Sequence, residues 1–116
     1  MTGTDRESLR ALAEDGDEQA ADRLATLAAR DGDVETLKYL VDAGNELAGD
    51  LLSTRAADRG DLETLEYLID RGVESAADRR ATIASQAGDA VTLRRLADEG
   101  SEVAQTLLDG VISDTE

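Results

Sequence analysis

Asp33-Val-Glu-Thr-Leu-Lys-Tyr-Leu-Val-Asp-Ala-Gly44 reads as one short helix with its start and its stop written in. Asp33 stands at the N-cap, where a carboxylate can accept an orphan amide of the first turn. Val34, Leu37, Leu40 and Val41 follow at i, i+3, i+6 and i+7 and form one apolar stripe. Gly44 can take the left-handed conformation that ends a helix.

Working outward, the same pattern returns every 28 residues. The columns are Asp5/Asp33/Asp61/Asp89, Leu9/Leu37/Leu65/Leu93, Leu12/Leu40/Leu68/Leu96, Gly16/Gly44/Gly72/Gly100, Glu18/Glu46/Glu74/Glu102 and Ala20/Ala48/Ala76/Ala104. A fixed period of this size is the mark of a repeat architecture. The units are 5–32, 33–60, 61–88 and 89–116, within a single repeat domain spanning 1–116. The first helices are expected near 5–15, 33–44, 61–71 and 89–99.

A second helix should follow each glycine, near 18–30, 46–58, 74–86 and 102–113. Asp17, Asn45 and Ser101 are good N-caps for it, whereas Val73 in the same column is a poor one. The glutamate column then sits at the positive end of the helix dipole. No stretch alternates strictly, so no strand is expected. An amphipathic hairpin of this size cannot bury its own apolar face. Stacked hairpins can, because each contributes to one continuous core. The expected fold is all-α, an αα-hairpin repeat solenoid of two layers and about eight short helices.

The stretch Ala25-Thr-Leu-Ala-Ala-Arg-Asp-Gly-Asp-Val-Glu-Thr-Leu-Lys-Tyr-Leu-Val-Asp-Ala-Gly44 resembles the helix–turn–helix portion of an ankyrin repeat, and residues 55–72 resemble it about as well. The likeness covers the two inner units well and the outer ones weakly. The ankyrin period is about 33 residues. The residues missing here fall after the glycine, where an ankyrin repeat places its β-hairpin finger and its Thr-Pro-Leu-His start. No such tetrad occurs, and the chain contains no proline. The resemblance implies an ankyrin-like stack without its fingers, whose second helices line a concave partner groove.

Composition narrows the function. The 116 residues carry 27 acidic and 12 basic side chains, a formal net charge of −15. Without histidine or cysteine there is no His-based triad, thiol nucleophile or Zn-thiolate site. No phosphate-binding glycine loop occurs. Asp15-Gly-Asp17 and Asp31-Gly-Asp33 lack the ligand spacing of a calcium loop. No cofactor or metal is expected, and no catalytic residue. The charge argues against nucleic acid, which needs clustered cations, and against an anionic membrane. No apolar run approaches the ~20 residues of a membrane-spanning helix. The N-terminus lacks the features of a signal peptide, so the expected compartment is the cytoplasm. Eleven of the 12 basic residues are arginine. With abundant Asp, Ala and Thr, this composition resembles that of proteins from salt-accumulating archaea. Molar salt would suppress the self-repulsion of so charged a domain by shortening the Debye length to ~3 Å.

That leaves a protein partner of unstated identity. On the second helix of the first unit, Ala20, Ala21, Leu24, Leu27 and Ala28 share one side of the wheel, with Ala25 and Ala29 beside them. Positions 19, 22, 23, 26 and 30 form the outward stripe. In the next unit that stripe becomes apolar at Leu47 and Leu51, with Arg23 and Arg79 one unit away on either side. Apolar anchors with arginine neighbours suit an interface centre. Scattered surface apolar residues, or core positions displaced by wheel drift, would look the same in sequence. Arg55 stands where Leu27, Ile83 and Val111 stand, and Arg80 where Leu24, Leu52 and Leu108 stand. Each must pair or reach solvent, and Asp50, Asp58 or Asp78 could serve. A partner carboxylate is the other reading. Tyr39 and Tyr67 share a column away from the leucine stripe and are candidates for covering neighbouring units or for recognition. The last helix carries Val103, Leu107, Leu108, Val111 and Ile112, which would suit a homodimer.

Overall fold

The computed structural model describes the backbone of residues 2–114 and the side chains of residues 6–111. Among the described residues it holds eight helices and no strand: α1 Thr2–Glu14, α2 Glu18–Asp31, α3 Val34–Asp42, α4 Glu46–Arg59, α5 Leu62–Asp70, α6 Glu74–Gln86, α7 Ala90–Asp98 and α8 Glu102–Asp114. The chain is all-α, built of helical hairpins. It divides into two units, Met1–Leu52 and Ser53–Glu116, with the boundary inside α4. In the first unit α2 packs on α1 and α3. In the second, α5 packs on α6 and α7 on α8, while α6 also touches α7 and α8.

Every second helix begins on its column glutamate, as the dipole and cap reading requires. Every first helix but one begins on the residue after the column aspartate. The exception is α1. It starts at Thr2, so Asp5 lies within the helix and does not cap it. The Asp5 side chain falls outside the described residues.

Each remaining column aspartate makes two bonds to the threonine three residues on. The amides of Thr36, Thr64 and Thr92 donate to Oδ1 of Asp33, Asp61 and Asp89 at 3.1, 3.1 and 3.0 Å. Their hydroxyls donate to Oδ2 of the same aspartates at 2.6 Å in all three cases. On the second helices, Asp17, Asn45 and Ser101 accept the amides of Ala20, Ala48 and Ala104 at 3.1, 2.7 and 3.0 Å. Val73 supplies no side-chain cap to α6. Gly44 has φ +93, and the Asn45 amide reaches back to the Leu40 carbonyl at 2.9 Å, closing α3.

Packing pairs leucine on the first helices with alanine on the second. Leu37, Leu40, Leu65, Leu68, Leu93 and Leu96 are all buried, and so are Ala20, Ala48, Ala76 and Ala104. Small side chains let the helix axes approach, so leucine fills the space with no Phe or Trp to help. Ala25 lies at the centre of the α2 contact, fully buried, although the wheel placed it at the margin. Ser53 takes the same column and is equally buried, its hydroxyl 3.0 Å from that of Ser75. Two members of the leucine columns depart: Leu9 is half-buried and Leu12 is 47% exposed.

Candidate interaction surfaces

The expected partner residues divide between the two units. In the first, Arg23 is exposed, and Leu47 and Leu51 are half-buried on α4. The α2 stripe of Gln19, Asp22, Arg23, Thr26 and Arg30 faces solvent throughout. Part of each leucine side chain is thus withdrawn from water.

In the second unit Arg55, Arg79 and Arg80 are all half-buried. Their circumstances differ. Arg80 is spoken for: its Nε donates to Oε2 of Glu66 at 3.2 Å, and its side chain is only 11% exposed. Arg95 donates from Nη2 to the same oxygen at 2.6 Å. Glu66 on α5 therefore takes the place expected for Asp50, Asp58 or Asp78, because the Arg80 side chain runs toward the first helix. Arg79 has a buried Nε with no hydrogen-bond partner among the described residues. Arg55 makes no ion pair among the described residues.

On α8, Val103, Leu107, Leu108 and Val111 are half-buried against a cluster of Ala81, Ala84, Leu93, Leu96 and Ala104. The Ile112 side chain lies outside the described residues.

The two tyrosines are held by stacked arginines. The Arg10 guanidinium lies 4.2 Å from the centre of the Tyr39 ring, and that of Arg71 lies 3.6 Å from the Tyr67 ring. The Tyr39 hydroxyl also donates to Glu14 at 3.2 Å. Partial burial, with Glu14 adding to it, pushes the Tyr39 hydroxyl above its usual pKa. The Thr36 hydroxyl, then the Thr36 amide, hold the Asp33 carboxyl below the usual range, with Arg6 contributing a 2.6 Å ion pair. Thr92 does the same for Asp89. These depressed carboxyls are helix caps, so their perturbation is structural.

Two exposed apolar residues escaped the sequence reading: Leu62 at 39% and Val91 at 78%. Val91 was legible, since it stands where Glu7, Glu35 and Glu63 stand in the other units. No group of three or more acidic side chains is placed to hold a metal ion among the described residues. No helix among them is long and apolar enough to cross a membrane. No protein-family model, curated protein or solved structure matches the chain.

Proposed function

We propose that this chain is a non-enzymatic protein–protein interaction module of the ankyrin-like kind, presenting the outward stripes of its second helices to another protein. The observation that carries the reading is Arg79, half-buried and without an ion pair among the described residues, whose accessible part a partner carboxylate could engage. The half-buried Arg55 adds, in the same unit, a second cation without an ion pair among the described residues. The half-buried Leu47 and Leu51 supply apolar anchors in the other. The lack of His and Cys supports a binding role over a catalytic one. Leu51→Glu should abolish retention of the partner by the immobilised chain while helicity stays intact by circular dichroism. Unchanged retention would remove Leu51 from the surface.

A second reading is self-association through α8. It is favoured by the half-buried Val103, Leu107, Leu108 and Val111. The charge of −15 and the arginine-rich cation set further support a cytoplasmic protein of a salt-accumulating cell. Light scattering coupled to size exclusion addresses both. A monomer in molar KCl that expands in dilute buffer would support the interaction module and the high-salt setting. A dimer in KCl would move the weight to α8.

A further inference from the structure

We propose that two equivalent clefts, one in each unit, each seat a short extended basic segment of a partner protein, of the pattern Arg-x-Arg. The aliphatic stems of its arginines rest on an apolar floor, and their guanidinium groups meet glutamates on the rim. The inference rests on the reading of the chain as an interaction module. It adds a seat that shares only Asp22 and Leu47 with the second-helix stripes.

Recurrence comes first. In the first unit a cleft of about 600 Å3 lies between the α1–α2 turn and the α3–α4 turn. In the second unit a cleft of about 400 Å3 lies between the α5–α6 turn and the α7–α8 turn. Every residue that lines the second cleft has its counterpart, two repeats earlier, lining the first. Glu18 answers to Glu74, Leu40 to Leu96 and Glu46 to Glu102. The linings fall within 13–47 and 69–103, where every side chain is described. The short link between the helices makes the space. Each second helix starts two residues after its glycine, Glu18 after Gly16 and Glu74 after Gly72. No length of chain is left to cover the gap between successive turns.

Chemistry then selects the occupant. The floor is apolar: Leu40 and Leu96 are buried, and Leu47 and Val103 are half-buried. The rim is acidic. Glu18 and Glu46 stand on the first cleft, and Glu74, Asp78 and Glu102 on the second. None of these five carboxylates has an ion pair or side-chain hydrogen bond among the described residues. Asp22 accepts the Asn45 side-chain amide at 2.9 Å, and Glu99 meets Arg95 at 3.6 Å. No lysine or arginine lines either cleft. The helix dipole explains why each glutamate suits its helix start. It does not explain an apolar cavity with one such glutamate contributed by each of two helices. Uncompensated carboxylates above an apolar floor match a side chain with an aliphatic stem and a cationic head. Arginine suits them better than lysine, because its planar fork pairs carboxylates through two bonds. Spacing sets the pattern. Helices α6 and α8 are in contact, which places their axes about 8–10 Å apart. Residues i and i+2 of an extended chain point to one side, about 7 Å apart. Two arginines separated by one residue thus reach Glu74 and Glu102 together, and in the first cleft Glu18 and Glu46.

The probe is a blocked Ala-Arg-Ala-Arg-Ala peptide, titrated into the isotope-labelled full chain and followed by NMR. The buffer holds the lowest KCl concentration that keeps helicity complete. The amides of Gly16, Gly44, Gly72 and Gly100 should shift and saturate, and the same peptide with citrulline for arginine should leave them unmoved. Glu18→Gln combined with Glu46→Gln should weaken binding at the first cleft about fivefold. The second cleft should keep its affinity, so each cleft serves as the control for the other. Shifts scattered over the whole acidic surface would overturn the proposal, as would equal shifts from the citrulline peptide. Wild-type affinity at the first cleft of the double variant would do the same. Spermine that shifts these amides and no others would also overturn it, since a free polyamine would then be the occupant. Leu51→Glu should leave the peptide shifts unchanged, because Leu51 lines neither cleft. Failure of the peptide removes the clefts alone, whereas the second-helix stripe falls only if Leu51→Glu spares partner retention.

Discussion

The first hairpin and the last share the repeat's leucine, glycine, glutamate and alanine columns and live in different surroundings. Leu12 and Leu96 occupy one column, yet Leu12 is 47% exposed and Leu96 is 1% exposed. Leu9 and Leu93 occupy another, half-buried in one case and fully buried in the other. The difference lies in what packs against each hairpin. Helix α6 lies against α7 and α8 and shields their leucines. Helix α1 packs on α2. A repeat unit therefore fixes its own helices, but its neighbour fixes its burial.

The largest test of that contrast is a pair of identical truncations. Leu96→Ala should cost about 2–5 kcal/mol, since it empties a filled site. Leu12→Ala should cost no more than about 0.5 kcal/mol. Urea unfolding in molar KCl reads both, and equal losses would break the comparison. A smaller effect belongs to the caps. Asp33→Ala should cost about 1 kcal/mol, whereas Val73→Asp, which adds the missing cap of α6, should gain roughly 0.5–1 kcal/mol. Thermal melts of the two variants would sharpen the contrast between capped and uncapped helices.

The smallest effect is one of pH. Thr36 holds the Asp33 carboxyl below its ordinary range. The folded state therefore favours the ionised form. Its contribution is complete above the unfolded value, about pH 4, and fades as the pH falls through the lower folded value. The stability gap between wild type and Asp33→Asn should accordingly be constant near neutrality and narrow in acid. A gap that widens in acid would contradict the assigned cause.

Helix positions were legible because their punctuation is chemical: aspartate or asparagine before, glycine after. The threonine at the third helical position was equally visible as Asp-x-x-Thr, but only geometry reveals that its hydroxyl doubles the cap. Arg80 shows the opposite case. Its column made burial evident, yet a helix wheel considers neighbours on like helices, and the true partner, Glu66, projects from α5. Leu47 and Leu51 were read from a wheel with sharp borders. The α4 face grades from buried to exposed, so both fall between. Arg79 was named from the sequence as an interface neighbour, but its unsatisfied Nε could not be, because an unsatisfied nitrogen is a property of surroundings and not of letters.

Oxidative footprinting of the chain, alone and with the protein it retains, would address the functional reading most directly. Alone, Val91, Leu12 and Leu62 should label fast, Leu47 and Leu51 at intermediate rates, and Leu93 and Leu96 slowly. On binding, Leu47 and Leu51 should become protected while Val91 keeps its rate. Protection of Val91 and Leu62 with no change at Leu47 and Leu51 would contradict the assignment of the second helices as the binding surface.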